Sequence, residues 1–173
     1  MENTFKIRPA SSDDLPRLVG ILNQAITMGN ANAHTEEFSV EARRSWFDAH
    51  DPDSNPIYVY ENDTGLVTGY LAIGPYRNRP ALARTGEISY YVDYAWQRQG
   101  IGSELMAHAV SDCQRIHKHV LLAIVLERNM PSIRLLEKFR FEKWGFLPDV
   151  AEIQGKVTGH LYYGRRGLSP REP

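Results

Sequence analysis

Gln97-Arg98-Gln99-Gly100-Ile101-Gly102 has the residue types and spacing of an anion cradle. It lies between an extended segment rich in Ile and Tyr, residues 87–92, and an apolar run of 3.6-residue period, residues 103–117. Glycines let backbone N–H groups close on a ligand with no Cβ in the way, and a helix start adds about half a positive charge. Phosphate is the usual occupant of such a turn. The same residues suit an ordinary tight strand-to-helix turn, and the turn alone leaves both readings open. Two nucleotide-binding patterns are excluded. There is no G-x-x-x-x-G-K-[ST], and Leu105 stands where G-x-G-x-x-G needs its third glycine.

The elements that must hold this turn follow from hydrophobic period and turn residues. Residues 5–8 read as a first strand. Ser11 and Asp14 have capping-box spacing, and Leu15, Leu18, Val19, Leu22 and Ile26 follow at helical intervals. A second helix starts at Ser39, runs through Trp46 and Phe47, and is ended by Asp51-Pro52. Residues 57–60 and 66–73, joined by Asn62-Asp63-Thr64-Gly65, read as a hairpin. A loop, residues 74–83, leads to the strand at 84–92. Beyond the glycine turn, Ile101, Leu105, Ala109 and Cys113 line one helix face. Residues 120–126 form an apolar strand suited to burial on both faces. Residues 129–139 make a short helix that tolerates Pro131 in its first turn. Strands near 141–147 and 160–165 complete the order βααβββαβαββ, an α/β (α+β type) domain with a mixed sheet.

The chain has 173 residues, enough for one domain with a sizeable core. We assign residues 5–167 to that domain and expect residues 168–173 to be a disordered tail. A net charge of −1 gives no basic excess for nucleic acid or anionic membranes, so neither is an expected partner. The apolar run 120–126 is far short of a membrane span, and Met1-Glu2-Asn3-Thr4 lacks a signal-peptide pattern. A cytoplasmic protein is the expectation. Cys113 falls on the apolar helix face and reads as buried filler. No metal site is expected among the six histidines; His117 and His119 suit helix C-terminal charges better than zinc. Asn62-Asp63-Thr64 matches a glycosylation sequon by chance, as a hairpin turn. Trp46, Trp96 and Trp144 are expected to pack a core or a dimer interface.

The element order together with Gln97, Gly100 and Gly102, which fit [QR]-x-x-G-x-[GA], resembles the GCN5-related N-acetyltransferase (GNAT) superfamily. More narrowly, the chain is similar to the phosphinothricin / methionine sulfone N-acetyltransferase branch. The matching segments are Ile7-Arg8-Pro9-Ala10, Glu41-Ala42-Arg43-Arg44-Ser45-Trp46-Phe47, Gly74-Pro75 with Arg79-Pro80-Ala81, and Asn129-Met130-Pro131-Ser132-Ile133. The resemblance implies a GNAT-like fold with a mostly antiparallel sheet flanked by helices, and acetyl-CoA as cofactor. The backbone of Arg98, Gln99, Gly100, Ile101, Gly102 and Ser103 would hold its pyrophosphate. The pantetheine arm would pair with strand backbone near Tyr90, Tyr91 and Val92. Asn129 and Ser132 would touch the cofactor, although helix capping is also a common use of both residue types.

The superfamily places its general base at Glu87. A carboxylate there can bind a substrate ammonium and take its proton, through water, before nitrogen attacks the thioester. Arg77 and Arg79 fall where the branch holds its substrate's acidic group, a task suited to the bidentate guanidinium fork. A homodimer acting on a small-molecule amine is implied as well. The chain departs from the family pattern at four places. Leu136 stands where a tyrosine or histidine acid is common, which leaves water or another group, Tyr162 or Tyr163 among the candidates, to protonate the leaving group. Arg140 replaces a glycine, Ala33-His34 replaces an aromatic, and Gly159-His160 replaces an Asp-Leu pair. The sequence therefore points to an acetyltransferase for the amino group of a small amino acid or analogue, by direct transfer. An acyl-CoA-binding module without turnover, and an acetyltransferase for a protein N-terminus, polyamine or drug amine, stay open.

Overall fold

The computed structural model describes residues 6–169. Seven strands form one sheet in the order β1-β2-β3-β4-β5-β7-β6. They are β1 (Lys6–Pro9), β2 (Ile57–Glu61), β3 (Val67–Pro75), β4 (Thr85–Val92), β5 (Val120–Leu126), β6 (Glu142–Ile153) and β7 (Lys156–Arg166). Every neighbouring pair is antiparallel except β4 and β5, which are parallel. Helices α1 (Leu15–Met28) and α2 (Val40–Asp48) cover one face, and α3 (Ile101–Asp112) and α4 (Met130–Lys138) the other. The expected order βααβββαβαββ holds, and the described part of the chain is one α/β domain.

Local chemistry sets the element ends. Asp14 takes the Ser11 backbone N–H at 2.7 Å, and α1 stops at Gly29, whose φ of 65° only glycine adopts freely. The Ser39 hydroxyl accepts from the Ala42 N–H at 3.1 Å and caps α2. In the β2–β3 turn the Asn62 Oδ1 accepts from the Thr64 and Leu66 N–H groups. Asn62 is buried there, which removes it as a glycosylation site.

Four boundaries differ from the sequence expectations, each for a physical reason. The first strand is Lys6–Pro9, and Phe5 lies outside the described residues. Helix α3 ends at Asp112 rather than at residue 117, because Lys118 N–H closes back onto the Cys113 carbonyl and His117 turns to φ 54°. The loop expected from residue 74 begins later, since β3 pairs with β4 through Pro75. Strands β6 and β7 are much longer than 141–147 and 160–165. A bulge between Leu147 and Ala151 absorbs Pro148, and a turn at Gln154-Gly155, both at positive φ, closes the hairpin.

The core lies on both sheet faces. Leu105, Met106, Ala109, Leu121, Leu136 and Leu161 pack on the α3/α4 side; Leu18, Ile21, Val59, Tyr70 and Ala72 pack on the α1 side. Cys113 is fully buried and its thiol is pushed up to about 12, the behaviour of filler. Trp46 and Trp96 pack against the two cores, whereas Trp144 is exposed on β6. Leu168 and Ser169, at the head of the expected tail, are held by His119, and residues 170–173 lie outside the described residues. No described helix is long and apolar enough to cross a membrane.

Candidate functional site

Strands β4 and β5 pair only from Thr85 to Glu87, against Val120 to Leu122. Past Glu87 they part, while β4 stays paired to β3 as far as Val92. The β4 edge from Ile88 to Val92 therefore faces a cleft of about 360 Å³. Residues 87–91 and 123–126 form its two walls. Asn129 and Ser132 close one end, residues 31–33 lie over it, and His160 and Tyr162 line it from β7.

The strand register divides the cleft into two sides. Glu87, Ser89 and Tyr91 pair with Gly74, Ala72 and Tyr70, and Tyr70 and Ala72 belong to the α1-side core. Ile88 belongs to the α3/α4-side core, and Tyr90 packs against it. Tyr90 sends its hydroxyl to the Ser132 carbonyl at 3.3 Å, and burial pushes it up to about 12. Tyr91 thus offers a cofactor only its backbone, since its ring lies on the opposite face from that of Tyr90.

The glycine turn sits at the open end of the split. Gly100 has φ 87° with free space where a Cβ would point, and Arg98 also has positive φ, 61°. Ser103 and Glu104 donate to the Gly100 carbonyl, but among the described residues the N–H groups of 98–102 donate to no carbonyl. Unsatisfied N–H groups around an uncovered glycine are what a phosphate requires. Gln97 is exposed and reaches the Val92 carbonyl at 3.5 Å; Gln99 is exposed; the Ile101 side chain is buried and leaves only its backbone available. Gly102 lets α3 sit against Leu135 of α4. Lys138 donates to the Ser103 hydroxyl at 3.0 Å, adding a cation that sequence reasoning missed. Lys138 is 35 residues from Ser103, and no local pattern signals the contact. These features fit the expected cofactor.

Asn129 caps α4 by accepting from the Ser132 N–H at 3.3 Å, so the capping explanation is realised while both residues also line the cleft.

Glu87 stands where the strands part. Burial raises its proton affinity, and Arg77, with its guanidinium 4.0 Å away, lowers it; the net shift is upward. Arg77 is stacked on Tyr76 and faces Glu87. Arg79 is exposed before the short turn Pro80–Leu82, with its N–H donating to the Arg77 carbonyl at 2.8 Å; neither arginine lines the cleft, and of the two only Arg77 approaches Glu87. Leu136 is fully buried in the core. The Tyr163 hydroxyl bonds Glu137 at 3.1 Å, away from the cleft; of the two tyrosines, Tyr162 alone lines it. Arg140 has φ 60°, the conformation that a glycine adopts freely. No group of described residues could hold a metal ion.

An anion cradle, an open strand edge and a half-buried carboxylate can together hold a phosphate-bearing thioester and deprotonate an amine beside it. Comparison with known proteins gives the same direction. Residues 23–141 match the model of the "Acetyltransferase (GNAT) family". A Bacillus subtilis protein provisionally named as phosphinothricin acetyltransferase YwnH is 35% identical over 159 residues, covering 92% of this chain and 97% of that protein. The L-methionine sulfoximine/L-methionine sulfone acetyltransferase of Salmonella typhimurium is 31% identical over 150 residues, 87% of each chain. The structure of yncA from Salmonella typhimurium, provisionally named an acetyltransferase and solved with its cofactor acetyl-CoA, superposes with a TM-score of 0.90 at 27% identity. It covers 99% of this chain and 98% of that one.

Proposed function

The chain belongs to the acetyltransferase (GNAT) family and uses acetyl-CoA; on that premise we propose that it acetylates the α-amine of a small amino acid or analogue of the phosphinothricin or methionine sulfone type. The observation that carries this is the position of Glu87 at the parting of β4 and β5, beside Arg77. Acetyl-CoA supplies an acetyl thioester as electrophile and a thiolate as leaving group.

The residues of this chain do the rest. The backbone N–H groups of residues 98–102 and the cation of Lys138 hold the pyrophosphate, with the Ser103 hydroxyl beside them. The open β4 edge at Tyr90, Tyr91 and Val92 pairs with the pantetheine amides, next to Asn129 and Ser132. Glu87 binds the ammonium of the acceptor and removes one proton, directly or through water, so that nitrogen can attack. Its raised proton affinity makes it a better proton acceptor near neutral pH than an exposed carboxylate. Arg77 takes the acceptor's carboxylate, and Arg79 meets it from the loop when the acceptor is seated. Backbone N–H groups along the open edge stabilise negative charge developing on oxygen. Tyr162, which lines the cleft, gives a proton to the leaving group in this reading, since Leu136 cannot.

Residues 5–167 form the acetyltransferase domain. An enzyme of this kind works in the cytoplasm, where acetyl-CoA is supplied. Exposed Trp144, Phe146, Leu147, Val150 and Val157 on β6 and β7 support a homodimer, which sedimentation velocity at micromolar concentration reads directly.

The test is acetyl-CoA turnover with a panel of amino acids and analogues, using wild type and Glu87→Gln. Wild type is expected to release CoA with phosphinothricin or methionine sulfone, and Glu87→Gln to lose about 10²- to 10⁴-fold in kcat. Buried Leu136 favours one other reading, a binding module without turnover. Tight acetyl-CoA binding with no amine-dependent release would establish that reading instead.

A further inference from the structure

On the α1/α2 side of the cleft a guanidinium lacks an acid. Arg43 of α2 is half-buried, with its Cζ 5.0 Å from the Phe38 ring and 4.1 Å from the Trp46 ring. It makes no hydrogen bond or ion pair with any described residue. Two rings lie against it and no described group accepts from its N–H donors; a guanidinium in that state can bind a carboxylate or phosphinate in bidentate fashion. Burial weakens its hold on its proton, and the groups that offset this are the Tyr70 and Tyr91 hydroxyls, not a carboxylate. A partly desolvated cation with no counter-charge costs free energy until an anion arrives.

The neighbours continue the pattern as far as the cleft. Trp46 touches Tyr70 at 6.4 Å between rings, and Tyr70 touches Tyr91 at 5.5 Å. Tyr91 lines the cleft together with Asn32. The Asn32 side chain approaches the Tyr91 hydroxyl, and its buried Nδ2 makes no full hydrogen bond there, which puts a second donor on the same side. Burial also disfavours the charged forms of His34 and His50, so neither supplies the missing anion.

We infer that Arg43, with Asn32 and the Tyr91 hydroxyl, forms a second anion subsite that receives the distal acidic group of a dianionic amino acid. Tyr91 is four residues along β4 from Glu87, roughly 13 Å at strand rise. Arg77 stands at the Glu87 end and Arg43 at the Tyr91 end. An acceptor whose amine meets Glu87 can thus present its carboxylate to Arg77 and extend its second charge toward Arg43. Acceptors with one carboxylate and a neutral side chain leave Arg43 unpaired and are the poorer substrates.

This inference rests on the acetyltransferase proposal, and the test separates the two. kcat/KM is measured for phosphinothricin, which carries a carboxylate and a phosphinate, and for methionine sulfone, which carries one carboxylate. Arg43→Gln is expected to lower the value for phosphinothricin about tenfold more than that for methionine sulfone, mostly through KM, as loss of a charge-assisted pair does. Arg43→Lys keeps the charge without the fork and recovers part of the difference. A ratio that does not change in either variant overturns the subsite. If Arg43→Gln shows no cooperative melt, the same ratio in Arg43→Lys decides. If wild type acetylates neither compound, the acetyltransferase proposal falls for this substrate class. Calorimetric binding of phosphinothricin then tests the subsite alone: weaker binding to Arg43→Lys than to wild type supports it, and equal binding overturns it.

Discussion

Glu87 is balanced between two opposing influences, and the balance sets a measurable pH limb. Burial raises its proton affinity and the Arg77 guanidinium, 4.0 Å away, lowers it. A base works only when deprotonated, so kcat/KM falls as pH drops through the pKa of Glu87 in the free enzyme. Removing Arg77 removes the lowering influence. The pKa of Glu87 then rises further, and the acid limb of Arg77→Gln is expected at higher pH than that of wild type. An acid limb that stays in place would mean that Arg77 does not act on Glu87. Little of this was legible in the sequence. A strand glutamate is ordinary by composition, and family resemblance alone singled out Glu87. The pairing of Arg77, but not Arg79, with Glu87 arises from how the β3–β4 loop folds back. Of the rings around Arg43, Trp46 lies one turn along α2 and Phe38 just before it, but Tyr70 and Tyr91 come from β3 and β4, and no local pattern announces that meeting.

At the level of elements, the sequence carried most of what positions the cleft. Periodicity found α1 and α3, start and stop residues marked α2, Pro131 in a first turn suited α4, and β5 has the expected bounds, because runs such as Leu15-x-x-Leu18-Val19 and Val120–Leu126 record burial directly. Register and bulges are tertiary, so the extension of β6 past Pro148 was not visible. The parting of β4 from β5 depends on pairing that stops after Glu87, which no residue type announces. One departure from family pattern now has a local consequence. Arg140 ends α4 at φ 60°, with Phe141 N–H donating back to the Leu136 carbonyl at 3.0 Å, and its charge lies near Arg165. A non-glycine residue there costs about 1 kcal/mol. Arg140→Gly is therefore expected to stabilise the protein by up to about that amount and to raise Tm by roughly 2–4 °C. Calorimetry showing an unchanged or lower Tm would mean that the arginine side chain makes up for its own strain.

Across the whole molecule, the sheet separates two ligands and lets them meet at one gap. On the proposed reading, the glycine turn and the open β4 edge serve the cofactor at the end of the split, against α3 and α4. Glu87, Ser89 and Tyr91 face the α1/α2 side, which that reading assigns to the acceptor. Both ligands can be seated at once, and reaction requires that they are. An acetyl-enzyme intermediate would instead need an activated nucleophile in the gap. The one cysteine, Cys113, is fully buried on α3, and burial holds its thiol protonated. Cys113 is thus unavailable as an acyl carrier, in keeping with the proposed direct transfer in a ternary complex, and steady-state kinetics reads the route. Double-reciprocal plots at varied acetyl-CoA and several fixed acceptor concentrations are expected to intersect, and Cys113→Ala is expected to keep turnover. Parallel lines, with an acetylated protein trapped when the acceptor is left out, would instead require a covalent route through a residue of the cleft.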